Sequence, residues 1–365
     1  MNAPAETPQS DRRLYAARPT IVVGGRRFQR SSEMLQAMRM RENEGGMSSL
    51  ELRYSNLASH PDGKASLAFE DERQLELGAE VSVYGGDEDR PTEVFRGKIT
   101  AIEVEFSQSN PPELVVLAED QLLASRMERR THLHEGTTLR SVAQTVATRA
   151  GLQLRVSGFT ESIGTYLQLN ESDLAFLRRL LRDYDGDMQV VGDTLHVATK
   201  NSVQRESVTL RLFSQLLSAR LTADLAHQVT EVTVAGWDPE LAQRVSHVSQ
   251  GRALGPGAGR TGAQVLQEAF GRRSEHLGCT PVLDAGEAEA RAHTSFDQRA
   301  RRFVVAECTA NGNPSIRVGA HVTLAGVSPR FDNTYYVFDV CHRFDLRAGY
   351  FTDFQAECAY FGAPR

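Results

Sequence analysis

The sequence predicts an α+β, β-dominated fold: two antiparallel β-barrel domains related by duplication, with a small α/β module between them. Three observations predict it. Apolar and polar residues alternate toward both ends of the chain, the period lengthens to that of helices in the middle, and the two alternating regions carry matching segments.

At 365 residues the chain exceeds what one hydrophobic core usually organises, so two or more domains are expected. Hydrophobic residues make up 40% and charged residues 24%, an ordinary soluble composition. A net charge of -6 argues against nucleic acid as the main partner, because phosphate binding needs a basic surface. No apolar run approaches the roughly 20 residues of a membrane span. Met1 to Arg18 lacks the apolar stretch of a secretory signal and is expected to be a mobile tail. A particle component made in the cytoplasm fits these features. Cys279, Cys308, Cys341 and Cys358 form no CxxC pair, and the last three fall in strand-like runs, where a small buried thiol is expected rather than a zinc ligand.

The first β domain, residues 19–126, opens with Thr20-Ile-Val-Val and a turn at Gly24-Gly25. Ser31 to Arg41 reads as a short helix. Ile99 to Phe106 is the clearest strand, with Ile102, Val104 and Phe106 on one face and Glu103, Glu105 and Ser107 on the other. Leu114 to Leu117 follows a loop at Asn110-Pro-Pro. The period then changes over residues 127–203. Thr138 caps a helix with Leu139, Val142, Ala143, Val146 and Ala150 on its apolar stripe, and Gly151 stops it. A second helix is expected from Asn170, with Leu174, Leu177, Leu181 and Tyr184 buried and Phe176 and Leu180 widening the stripe. Met188 to Val191 and Thr194 to Ala198 read as a hairpin around Gly192-Asp193.

Residues 204–365 return to β alternation, with strands at Ser207 to Leu212, Gln228 to Trp237, and from Phe303 almost to the end. A loop and helix insertion is expected at about 249–302. It holds the Gly-rich stretch Gly251 to Gly262, a helix from Ala263 to Phe270, and an Ala-rich, solvent-facing helix from Ala285 to Arg302.

The matching segments are specific. Gly78-Ala-Glu-Val-Ser-Val-Tyr-Gly85 parallels Gly319-Ala-His-Val-Thr-Leu-Ala-Gly326, and Ile99 to Phe106 parallels Val337 to Phe344. Such a repeat points to a duplicated domain. Three copies of a chain with two like barrels present six quasi-equivalent units, a ring able to meet both six-fold and three-fold partners.

Asn170-Glu-Ser-Asp-Leu-Ala-Phe-Leu177, Val232-Thr-Val-Ala-Gly-Trp-Asp-Pro239, Asn313-Pro-Ser-Ile-Arg-Val-Gly319 and Asp332-Asn-Thr-Tyr-Tyr-Val337, with His342 and Gly349-Tyr-Phe-Thr352, occur in this order. Together they resemble the late control D proteins of phages and the amino-terminal hub region of VgrG spike proteins, over nearly the whole chain from Thr20. The resemblance implies a non-enzymatic homotrimer of two tube-like barrels per chain: the baseplate hub of a contractile injection system, without a cofactor. Its implied partners are the inner tube protein, a spike (VgrG/PAAR-like, or an OB-fold plus β-helix) and other baseplate proteins. VgrG proteins continue into a needle whereas this sequence stops at Arg365, so the spike is expected to be a separate polypeptide. Trp237 and Asp238, the paired glycines Gly78 and Gly319, and Tyr335 and Tyr336 are the candidate structural or interface residues.

Several chemical motifs compete with this reading. Gly257-Ala-Gly-Arg-Thr-Gly262 is a literal GxGxxG before a helical run and would suit a nucleotide-binding enzyme. The residues before it read as loop rather than the strand a dinucleotide fold needs, so a flexible loop is expected. Asp183-Tyr-Asp-Gly-Asp187 lacks the Gly and Glu positions of a calcium loop. His132 and His134 share a strand face with no third ligand at suitable spacing, as solvated or interface histidines would. The helix from Thr138 has no basic recognition partner for reading DNA.

Overall fold

The computed structural model describes residues 18–27, 29–59, 65–69, 75–86, 91–159, 162–278 and 282–362. The expected tail at 1–18, apart from Arg18, and Cys279 lie outside the described residues.

The first region runs β1 (Thr20–Val23), β2 (Arg26–Arg27), α1 (Gln29–Met34), β3 (Leu35–Asn43), β4 (Ser48–Ser55), β5 (Leu57–Ser59), β6 (Ala65–Leu67), β7 (Glu80–Gly86), β8 (Pro91–Glu105) and β9 (Glu113–Asp120). The helix expected over Ser31 to Arg41 is therefore corrected: it ends at Met34 and a strand begins. Met38 and Met40 are buried at strand spacing while Arg39 and Arg41 are exposed, so tertiary packing overrides the helix preference of Leu, Gln, Ala and Met. Antiparallel pairing places the strands in the order β3-β4-β9-β8-β7-β1-β2 around a core that includes Ile21, Leu52, Tyr54, Val83 and Ile99.

The middle region contains α2 (Leu123–Met127), β10 (Arg129–Thr138), α3 (Leu139–Ala150), β11 (Gln153–Ser157), β12 (Ser162–Ser172), α4 (Asp173–Asp183), β13 (Gly186–Val191) and β14 (Thr194–Thr199). Thr138 caps α3 as expected, and Gly151 closes it at φ 70°. The cap of α4 is Ser172, whose hydroxyl accepts from the Ala175 amide; Asn170 belongs to β12 and does not start the helix. The two apolar helix stripes and the hairpin β13–β14 enclose one core.

The last region runs β15 (Ser207–Arg211), β16 (Leu216–Ala223), β17 (Glu231–Asp238), β18 (Gln243–Ser249), β19 (Arg260–Thr261), α5 (Gly262–Phe270), β20 (Ser274–Leu277), α6 (Ala285–Arg301), β21 (Val304–Asn311), β22 (His321–Ala325), β23 (Asn333–Asp345), β24 (Gly349–Cys358) and β25 (Tyr360–Phe361). Strands β16 and β18 have no counterpart in the sequence reading, and β17 starts at Glu231 rather than Gln228. Helix α6 is not solvent-facing: Ala288, Ala292, Phe296 and Ala300 recur every fourth residue and are buried against the sheet β18-β17-β20. Within the larger sheet, β16-β21-β24-β23-β22 surrounds a separate core that includes Leu210, Val322, Tyr335 and Phe354.

The two larger regions share more than strand order. In β7–β8, Glu80 and Val81 pair with Lys98 and Gly97; in β22–β23, His321 and Val322 pair with Tyr336 and Tyr335. The β8–β9 register shifts after Ile99, and the β23–β24 register shifts after Val337. The β3–β4 register shifts after Leu35, and the β16–β21 register shifts after Leu216. One further bulge, between Val83 and Tyr84 of β7, falls past the last β22–β23 pair and has no match there. Pairing of β3 with β23, from Ala37 opposite Asp345 to Asn43 opposite Asp339, joins both regions into one thirteen-stranded sheet.

Candidate assembly interface

The repeated glycines close the same turn twice. Gly78 has φ +85° and Gly319 φ +84°, a left-handed conformation that glycine adopts without strain. The Gly78 amide donates to the Ile99 carbonyl at 2.8 Å, and the Ile99 amide donates to Ala79 at 2.9 Å. The Gly319 amide donates to Val337 at 2.9 Å, and the Val337 amide donates to Ala320 at 3.0 Å. Each turn is braced from within, Ala79 to Glu76 and Ala320 to Arg317.

Where the regions meet, buried ions bridge them. Arg317 donates from Nε to Glu42 at 2.6 Å, and Glu42 is 1% exposed. Burial works against the Arg317 charge, but the adjacent Glu42 carboxylate outweighs it and raises the pKa. Lys200, after the middle hairpin, lies 2.6 Å from Glu44 and 2.8 Å from Glu357, above the Tyr336 ring. It too stays charged: burial lowers its pKa, while Glu357 and Glu44 raise it further. Arg205 joins Asp187 at 2.5 Å and the Val318 carbonyl at 2.9 Å, and Arg301 of α6 pairs with Asp185. These ions fasten the middle module and the α6 unit to the joined sheet. Removing one partner of such a pair leaves an unpaired buried charge, at a cost of about 3–5 kcal/mol.

Of the residues singled out in the sequence, Tyr335 and Tyr336 are buried within the chain, 0% and 2% exposed. The Tyr335 hydroxyl donates to the Phe331 carbonyl at 2.7 Å. Trp237 is 57% exposed at the end of β17, and Leu241 and Leu283 are also exposed. Its amide donates to Val282 at 3.2 Å. Asp238 is buried and holds the following turn by accepting from the Glu240 and Leu241 amides. The structure does not gather these residues into one site. The bridging ions went unrecognised in the sequence, although Glu42 carried a signal: a carboxylate in phase with buried Met38 and Met40.

The GxGxxG segment is no open cradle. A Cβ at Gly257 would come within 2.8 Å of Asn333 Oδ1 and Cys358 Sγ, and one at Gly259 within 2.6 Å of the Gly362 carbonyl. These glycines let the chain approach itself, which corrects the flexible-loop expectation. The strand before α5 has two residues and pairs antiparallel with β25, outside any βαβ unit. Asp185 and Asp187 of the acidic run are spent on Arg301 and Arg205. His132 and His134 do share a face, with ring centroids 4.6 Å apart, and His134 stacks on Phe176. Burial of Cys308 and Cys358 pushes both thiols up to about 12, as inert core residues. Among the described residues no helix is long and apolar enough to cross a membrane.

Solved structures share this architecture. The 43 kDa tail protein of prophage MuSo2 from Shewanella oneidensis is 14% identical and aligns over 93% of this chain and 97% of its own, with a TM-score of 0.68. A tail protein from Neisseria meningitidis is 13% identical over 95% of this chain and 99% of its own, with a TM-score of 0.66. A component of the Escherichia coli type VI secretion system, described as structurally similar to the T4 tail proteins gp27 and gp5, is 11% identical over 94% of this chain and 79% of its own, with a TM-score of 0.57. At such identities the likeness establishes the fold, and it is the fold of tail proteins, in agreement with the resemblance read from the sequence. No curated protein matches the chain significantly. A family model described as the Alg8 N-terminal domain matches residues 58–345, and the chain belongs to that family.

Proposed function

We propose that the chain is a structural baseplate hub of a contractile injection particle, a phage-tail-like assembly. Three copies form a pseudo-six-fold ring that receives the hexameric inner tube on one side and a trimeric spike on the other. The residue-for-residue match between β7–β8–β9–β4–β3 and β22–β23–β24–β21–β16 carries this reading. Two domains descended by duplication, at about 19–126 and 204–365, would give three chains six like units. The module at 127–203 and the insertion would decorate the ring, and Trp237 would serve as an aromatic anchor for a neighbouring baseplate protein. The role is non-enzymatic, and its specificity comes from shape and symmetry.

Light scattering on the purified chain tests the reading. The expected mass is three times the chain's 40.3 kDa. A monomer at micromolar concentration overturns it.

A further inference from the structure

Two of the strand edges left open among the described residues match edges that are paired at the junction of the two regions. In the second region, Asp339 to Asp345 of β23 is flanked by β24 on one side and by β3 on the other. The corresponding stretch of the first region, Ala101 to Glu105, has β9 on one side only, because β7 pairing stops at Lys98, and Phe106 and Ser107 continue the chain just past the end of β8. The strand corresponding to β3 is β16, and beyond Leu216, which bridges Leu212, its outer edge has no strand partner among the described residues.

Side-chain exposure follows the same division. Val318, His342 and Phe344 are 1%, 0% and 3% exposed where β3 covers them. Their counterparts Leu77, Val104 and Phe106 are 66%, 40% and 68% exposed. An apolar open edge of this kind is a template for another strand.

We infer that β16 of one copy pairs antiparallel with Ala101 to Ser107 of the next copy, repeating between chains the β3–β23 junction that exists within each chain. The inference rests on the ring reading above. The occupant is a second copy because the chain already contains the same contact between its own halves. The register transfers residue by residue. His342 opposite Met40 becomes Val104 opposite Leu221, Val340 opposite Glu42 becomes Ile102 opposite Ala223, and Phe344 opposite Met38 becomes Phe106 opposite Ala219. All three pairs are apolar and lie on the core face, since Ile102 packs on the first core and Ala219 and Leu221 on the second. The opposite face receives Glu103 against Thr222 and Glu105 against Arg220, the last an opposite-charge cross-strand pair. A closed ring of three chains alternates this junction with the internal one.

Cysteine cross-linking tests the register. Wild-type protein is first sized by light scattering; a monomer there defeats both the ring and the strand pairing. Given a trimer, Val104→Cys with Leu221→Cys is expected to yield a covalent ladder ending at the trimer under mild oxidation. Val104→Cys alone serves as the control for the native thiols. Val104→Asp with Phe106→Asp, at positions exposed in the single chain, is expected to raise the concentration for half-assembly roughly tenfold or more without lowering the monomer's melting temperature. A trimer that neither cross-links through this pair nor weakens with the aspartates sinks the strand pairing while leaving the ring intact.

Discussion

The two β regions keep one register but fill it differently. Tyr335, fully buried in the second core, corresponds to Gly97 in the first. A Cβ at Gly97 would lie 2.1 Å from the Glu119 carbonyl and 2.7 Å from the Phe95 ring, so the neighbouring strand and an aromatic two residues earlier occupy the space. The outer strand differs as well: β1 meets β7 antiparallel, whereas β15 meets β22 parallel. Backbone geometry at the bulges and glycine turns thus persists while side-chain packing is solved afresh in each half. Close packing tolerates this because volume can be supplied from either side of a contact.

The largest expected effect comes from the residue present in only one half. Tyr335→Ala removes a buried ring and should lower unfolding free energy by about 3–5 kcal/mol in urea titration. A loss below about 1 kcal/mol would mean the second core does not depend on its tyrosine.

The paired glycines sharpen the comparison at smaller scale. Gly78→Ala meets open space and carries only the strain of positive φ, about 1 kcal/mol. Gly319→Ala adds contacts at 2.3 Å with Arg205 Nη1 and 2.7 Å with Val203 Cγ1, so its cost should reach about 2 kcal/mol. Equal melting temperatures for the two variants would contradict this asymmetry.

A subtler difference is electrostatic. Asp120, at the end of β9, corresponds to Cys358 in the second region. Burial pushes its carboxyl up to about 7, even though the Ser48 and Leu122 amides donate to it. The unfolded chain releases this proton near the ordinary value of 3.8. Between those values the folded form binds more protons, so this contribution to stability falls as pH rises from about 4 to about 7. Asp120→Asn should flatten that part of the pH profile of thermal melting, and an unchanged slope would exclude Asp120 as its source.

Much of this arrangement was legible in the sequence. Gly78, Gly319 and the alternation after each revealed the two like regions, because positive φ and period two leave direct marks on residue choice. The middle helices were equally plain from their stripes and from Thr138 and Gly151. Strand β3 was not, since Leu35-Gln-Ala-Met-Arg-Met is composed of good helix formers and becomes a strand only through partners on both sides. The pairing of Lys200, Arg301 and Arg317 was not legible, because their carboxylates come from distant segments; only Glu42, in phase with Met38 and Met40, left a mark. Ile102, Val104 and Phe106 were read correctly as one apolar face, but most of that face is open in the single chain.

That open edge makes the ring the central claim, and electron-microscope image averages of the purified protein test it most directly. Six similar lobes around an axis, with three-fold modulation from the middle module and insertion, are expected. Isolated two-lobed particles, or dimers related by a two-fold axis, would contradict the account.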